Sequence, residues 1–152
     1  MERFKHWHLF LIFFGPLFIG FHVENQFYQG ILHSISLSFI VIYLLTIGEY
    51  LQGIKEISGH TFFRINCSYL VIFIILTGNA SDFASEQFFI VGLVSVAYAL
   101  ISIIQVIDHV AILIRANENK KLDSYRQKTE FMLLFFWPVG IWFLQPRINK
   151  IS

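Results

Sequence analysis

The positions of the basic residues constrain the fold of this chain more than any other feature of its sequence. All eleven Lys and Arg residues fall into four groups, and the long apolar stretches between these groups contain none. The groups are Arg3 with Lys5, Lys55 with Arg64, a cluster from Arg115 to Lys128, and Arg147 with Lys150. Because basic residues concentrate in the cytoplasmic loops of membrane proteins, this spacing indicates a membrane topology.

The composition supports the same class of protein. Apolar residues make up 56% of the chain and charged residues 14%, with a mean hydropathy of +0.64, whereas a soluble domain is usually about one quarter charged. One bilayer crossing takes about 20 residues, so we expect residues 1–152 to form a single polytopic membrane domain. The net charge of +1 gives no overall basic field, and nucleic acid is therefore not an expected partner.

Four apolar segments predict an all-α integral membrane protein with a four-helix transmembrane bundle. The basic groups then lie on one side if the N-terminus is cytoplasmic, which predicts a multi-pass protein of the plasma (inner) membrane. The segments run approximately from Trp7 to Val23, from Ile31 to Leu51, from Ile65 to Gly78, and from Phe88 to Ile107, with apolar sequence continuing to Ile114.

The C-terminal aromatic segment, from Phe131 to Gln145, admits two interpretations. It is short for a span and is interrupted by Pro138 and Gly140, which favours a re-entrant or interfacial helical segment. A fifth transmembrane helix is the alternative, and it would carry Arg147 and Lys150 to the outside.

Polar residues inside apolar segments are costly, and they are therefore the candidates for a site. Five lie within about two turns of the cytoplasmic end of a predicted helix, and a basic residue of the tail is expected at the same level. An alternative is that these residues only form ion pairs at the membrane boundary, with Arg64, Arg115 or Arg147 as the basic partner. The candidate polar site comprises Glu49, Asn66, Gln105, Asp108, His109 and Arg147.

Small residues recur on one face of the fourth segment at spacings of three, four and three. This small-residue face consists of Gly92, Ser95, Ala99 and Ser102. Small side chains let helices approach closely in lipid, so the face predicts a helix contact. It suggests a second copy of the chain or another membrane protein as partner, besides the lipid bilayer itself.

The sequence contains no motif of a hydrolase, phosphate-binding loop or metalloenzyme. One cysteine, Cys67, and six dispersed histidines do not predict a disulfide, a metal site or another cofactor. We therefore expect a non-enzymatic interaction or assembly subunit, or a membrane effector. The alternative is a channel or carrier subunit for an ion or small solute, with Glu49 and His109 at a cytoplasmic gate.

Overall fold

The computed structural model describes residues 6–78, 89–118 and 124–151, and these residues form α-helices without any strand. Arg3, Lys5, Lys120 and Lys121 lie outside the described residues, as does the connection between the third and fourth predicted segments, which contains Asp82 and Glu86. The helices are α1 (His6–Phe21), α2 (Gln26–Ile54), α3 (His60–Gly78), α4 (Phe89–Asn117), α5 (Ser124–Phe135) and α6 (Trp137–Ile151).

Three of these helices, α2, α3 and α4, are long and apolar enough to cross a membrane. The fourth apolar helix, α1, is shorter, with 16 residues, which correspond to about 24 Å. Many large apolar side chains on the outside of the bundle are exposed, including Leu93 and Ile104 on α4. Such an apolar outer surface fits a helical protein embedded in lipid.

The helices begin and end where local capping groups satisfy the backbone. Asn25 precedes α2, and its side-chain oxygen accepts hydrogen bonds from the backbone N–H groups of Phe27 at 3.0 Å and Tyr28 at 3.4 Å. These bonds satisfy N–H groups that have no partner within a helix. As a result α2 begins five residues before the predicted start at Ile31.

The basic cluster from Arg115 to Lys128, which its position after the fourth apolar segment predicts to be a cytoplasmic loop, begins inside α4, and the prediction is wrong there. Helix α4 continues to Asn117, and Arg115 lies within it with 1% of its surface exposed. Hydropathy suggested an earlier end because Gln105, Asp108 and His109 interrupt the apolar run, but isolated polar residues do not end a helix when neighbouring helices supply partners. Residues 124–128 of the predicted loop belong to α5.

Helix α2 lies at the centre, with α1, α3 and α4 as neighbours. The C-terminal ends of α2 and α4 lie side by side, so the two helices run in the same direction. A residue at the end of each helix donates a hydrogen bond to a carbonyl group near the C-terminal end of the other. The Lys55 ammonium donates to the carbonyl of Ala116 at 3.0 Å, and the Asn117 amide donates to the carbonyl of Leu51 at 3.0 Å. The Lys55 bond satisfies a carbonyl in the last turn of α4, and the Asn117 bond adds a second donor to the Leu51 carbonyl, which also accepts from the Lys55 backbone N–H at 3.0 Å.

The core is concentrated at this same end of the bundle. Buried apolar residues of α2, α3, α4, α5 and α6 form one cluster there, which includes Ile47, Leu51, Cys67, Val110 and Ile148. A close crossing of α2 and α3 contributes to it, since Gly48 faces the ring of Phe63 so closely that an added Cβ would overlap that ring.

Helices α5 and α6 fold back on each other at Phe136. Gly140 packs against the Leu133 carbonyl so closely that an added Cβ would overlap the backbone. Helix α6 also contacts α2, where the Tyr43 hydroxyl donates to Gln145 Oε1. The predicted single C-terminal segment is therefore a helical hairpin, and its two arms pack on the main bundle.

Candidate functional site

Glu49, near the C-terminal end of α2, is held by two side chains of α3. The Arg64 guanidinium donates two hydrogen bonds to its carboxylate, from Nε to Oε1 and from Nη2 to Oε2, each 2.5 Å long. His60 Nε2 lies 3.2 Å from the same Oε1. Because residues four apart on a helix project from one side, His60 and Arg64 reach a common carboxylate. The ion pair with Arg64 is one of the pairings that the sequence allowed.

His60 also connects α3 to α4, through His109. His60 Nδ1 lies 3.4 Å from His109 Nε2, and we call these two residues the histidine bridge. Both rings stack on Phe63, with centroid separations of 5.4 Å for His60 and 4.8 Å for His109. The bridge therefore links α3 and α4 directly and, through Glu49, also reaches α2.

His60 is a site residue that the sequence analysis missed, because it was assigned to a loop. The local sequence does carry a signal for it. Gly59 has a positive φ of 88°, a conformation that glycine adopts readily, and it directly precedes the first residue of α3. A helix that begins after Gly59 places His60 four residues before Arg64, on the side that faces Glu49.

Four of the six predicted site residues line one cleft between α3 and α4. This α3–α4 cleft has a volume of about 230 Å³ and is lined by Gly59, Phe62, Phe63, Asn66, Gln105, Asp108, His109 and Ile112. It opens beside the histidine bridge, since His109 belongs to both. The cleft is large enough for a small polar group, and its walls carry amide, carboxylate and imidazole side chains.

An amide network centred on the buried Asn66 lies in the wall of the cleft. Asn66 Nδ2 donates to Gln105 Oε1 at 2.6 Å, and Asn66 Oδ1 accepts from Tyr98 at 3.1 Å and from Ser102 at 3.4 Å. Asn66 is thereby satisfied as donor and as acceptor, as a buried amide requires. Its contacts fix the rotation of α3 relative to α4 and so position Asp108 and His109 at the cleft.

Arg147, the sixth predicted residue, does not join Glu49. It forms what we call the Arg147 clamp with Glu118 and Glu130. Two hydrogen bonds run to Glu118, of 2.8 and 2.7 Å, and one of 2.9 Å runs to Glu130. The bonds to Glu118 and Glu130 raise the pKa of the Arg147 guanidinium, against the opposing effect of burial. The clamp ties α6 to α5 and to the end of α4.

The small-residue face of α4 divides into two parts. Ala99 and Ser102 are buried within the bundle, and the carbonyl of Ser95 accepts a 2.9 Å hydrogen bond from Tyr69 of α3. At Gly92, in contrast, an added Cβ would meet no atom of the described residues within 4 Å. Among the residues that the structure describes, the part of the face from Ser95 to Ser102 packs inside the bundle, and Gly92 leaves space for a neighbour.

The described residues include no group of three His, Cys, Asp or Glu side chains that could hold a metal ion. Cys67 is buried beside Asn66 and carries a free thiol. The site can bind protons and polar groups through its imidazole and carboxylate side chains, which are those of His60, His109, Glu49 and Asp108.

Comparisons of this chain with protein-family models, with curated proteins and with solved structures found no match.

Proposed function

We propose that this protein is a small, non-enzymatic, multi-pass membrane protein that acts as an interaction or assembly subunit. The observation that carries the proposal is the stretch of α4 around Gly92, which no other described residue covers. The small-residue face continues there beyond its contact with α3, and Val91, Leu93 and Val94 beside it are exposed. A helix of a second copy or of another membrane protein could approach the backbone closely at this glycine.

The test is Gly92→Leu, measured as the mass of the complex after mild detergent extraction and as the set of proteins that co-purify. Leucine is expected to reduce the assembled fraction at least several-fold, because it separates the two helix backbones. Gly15→Leu, on α1, is the matched control, since an added Cβ at Gly15 also meets nothing within 4 Å. A monomer that co-purifies with no protein, or equal assembly of both variants, would overturn the proposal.

The proposed topology has four spans, with both termini cytoplasmic and the α5–α6 hairpin inserted into the inner leaflet. Its support is that Lys55, Arg64, Arg115 and Arg147 all lie at the end where α2 and α4 terminate, which fits the cytoplasmic bias of basic residues. Helix α6 folds back towards Glu118, which agrees with a segment that enters the membrane and leaves it again on the same side. A reporter fused after Ser152 should be active in the cytoplasm, and external activity would establish five spans.

A channel or carrier subunit is the second candidate function, and the α3–α4 cleft is the observation that favours it. The cleft brings Asp108 and His109 together with two amide side chains at one end of the bundle. Glu49→Gln and His109→Ala should then alter solute or proton flux in reconstituted vesicles while expression and oligomer size stay unchanged. Glu56→Gln, the same chemical change outside the cluster, serves as control. Absence of flux from the purified protein under every gradient tested removes this candidate as an autonomous activity.

A further inference from the structure

The histidine bridge joins two helices through two imidazole rings, groups whose ordinary pKa is about 6.5. A neutral imidazole has one nitrogen that donates a hydrogen bond and one that accepts, so His60 and His109 can share a proton between Nδ1 and Nε2. A single added proton keeps such a pair together. A second one makes every ring nitrogen a donor and places two positive charges in contact, which removes the hydrogen bond and adds repulsion.

We infer that the histidine bridge is a latch operated by pH: when both rings are protonated, His60 separates from His109 and the α3–α4 cleft widens. The latch goes beyond the proposed assembly role, since it concerns the conformation of the chain itself.

Charged groups of α2, α3 and α4 surround the bridge. From α2, Glu49 lies 3.2 Å from His60 Nε2 and also holds Arg64 of α3. From α4, Asp108 adjoins His109 in sequence and lines the same cleft. Each protonated ring therefore has a carboxylate close by on its own side of the contact. The two protonated rings repel each other. When they separate, His60 keeps the Glu49 carboxylate as its neighbour, and His109 keeps that of Asp108.

The position of His60 lets such a separation widen the cleft. His60 is the first residue of α3, and Gly59 directly before it has a positive φ of 88°. The first turn of α3 can therefore move at this glycine while the amide network around Asn66 holds the remainder of α3 against α4. Phe63 stacks on both histidine rings and lines the cleft. Loss of this stacking therefore opens the cleft at the end where α3 begins.

The experiment measures the separation of α3 and α4 as a function of pH. Spin labels are placed at Thr61→Cys, in the first turn of α3, and at Ile104→Cys, on α4, which are exposed positions outside the cleft. The background is Cys67→Ala, which removes the only native cysteine. The distance is recorded in purified, lipid-reconstituted protein between about pH 7.5 and about pH 5, which brackets the ordinary histidine pKa of about 6.5. The distance distribution is expected to shift to longer values on acidification and to return on neutralisation.

His60→Gln and His109→Gln are the matched variants, because glutamine can still form a hydrogen bond but does not become charged. Either variant should abolish the shift, and His22→Gln, at a histidine far from the bridge, should leave it intact. A distance that stays constant with pH in the native-histidine protein overturns the latch. So does a shift that persists in His60→Gln or His109→Gln.

A second measurement needs no cysteine substitution and covers the case in which a labelled variant does not fold. In protein labelled with nitrogen-15 at histidine, the bridge should titrate in two coupled steps, and His109→Gln should convert the His60 signal to a single step. Independent one-step titration of both rings in the unsubstituted protein overturns the proposal. No partner or gradient enters either measurement, so failure of the latch is distinguishable from failure of the assembly or transport tests.

Discussion

The two halves of α4 both carry many apolar side chains, but these lie in very different environments. In the C-terminal half, Val110, Ala111 and Ile114 are fully buried, whereas in the N-terminal half Val91 and Leu93 are about 60% exposed. Lipid accepts an apolar side chain as readily as a protein neighbour does. Hydrophobicity alone therefore does not decide which half of a membrane helix packs inside the bundle.

Polar residues make the difference between the two halves. The C-terminal half contains Gln105, Asp108, His109 and Arg115, whereas the polar side chains of the N-terminal half are the hydroxyls of Ser95, Tyr98 and Ser102. A polar group in an apolar medium is costly unless another group pairs with it. Neighbouring helices therefore gather where these groups need partners, and the apolar core forms around the same contacts.

The largest loss of stability is expected from Arg147→Met, which removes the positive charge from the Arg147 clamp at the end of α4. Glu118 and Glu130 would then remain as two carboxylates that share a largely buried site, since their side chains are 12% and 7% exposed. Loss of one partner from a buried ion pair costs about 3 to 5 kcal/mol. Thermal unfolding in detergent should show a clearly lowered midpoint, with the α5–α6 hairpin becoming sensitive to protease.

Arg64→Met is the control for that prediction, because Arg64 also binds a carboxylate with two hydrogen bonds but has a side chain that is 60% exposed. Exposed ion pairs contribute about 0 to 1 kcal/mol. Equal losses from Arg64→Met and Arg147→Met would contradict the claim that burial distinguishes the two ion pairs.

An intermediate loss of stability is expected from Ala111→Leu in the buried C-terminal half of α4. Ala111 has no exposed surface, so the larger side chain must displace its neighbours, which costs about 1 to 3 kcal/mol. The same unfolding experiment measures the loss. If the variant were as stable as the original protein, the C-terminal half would not be packed as the structure indicates.

The smallest effect is expected from Gly92→Ala in the open half. An added Cβ has free space there within the described residues, and alanine favours a helix over glycine by up to about 1 kcal/mol. The isolated chain should therefore keep its unfolding midpoint or gain slightly. A marked loss of stability in the purified monomer would show that this half is covered by the chain itself.

Much of the helical architecture could be predicted from the sequence. The apolar segments became α1 to α4, because a chain in lipid must satisfy its backbone hydrogen bonds within each segment. The predicted positions of the helix ends were less accurate, since the ends depend on caps such as Asn25 and on contacts such as that between Lys55 and Ala116. The hairpin at Phe136 was predicted only as a short interrupted segment.

The candidate site was predicted in part. Asn66, Gln105, Asp108 and His109 line one cleft, as their common depth in the bundle suggested. His60 was missed, because its role depends on where α3 begins. The partners of Arg147 were also not predicted, since Glu118 directly follows α4, Glu130 lies on α5, and their meeting depends on the fold of the hairpin.

The sequence by itself determined which segments form helices, and the depth at which their polar residues lie. Both depend on position along the chain, because a helix rises by a constant distance per residue and lipid excludes unpaired backbone groups. The tertiary structure decided which side chains meet: Glu49 with Arg64, His60 with His109, and Arg147 with Glu118 and Glu130. These pairings depend on the rotation and order of the helices, which are set by contacts between residues far apart in the chain.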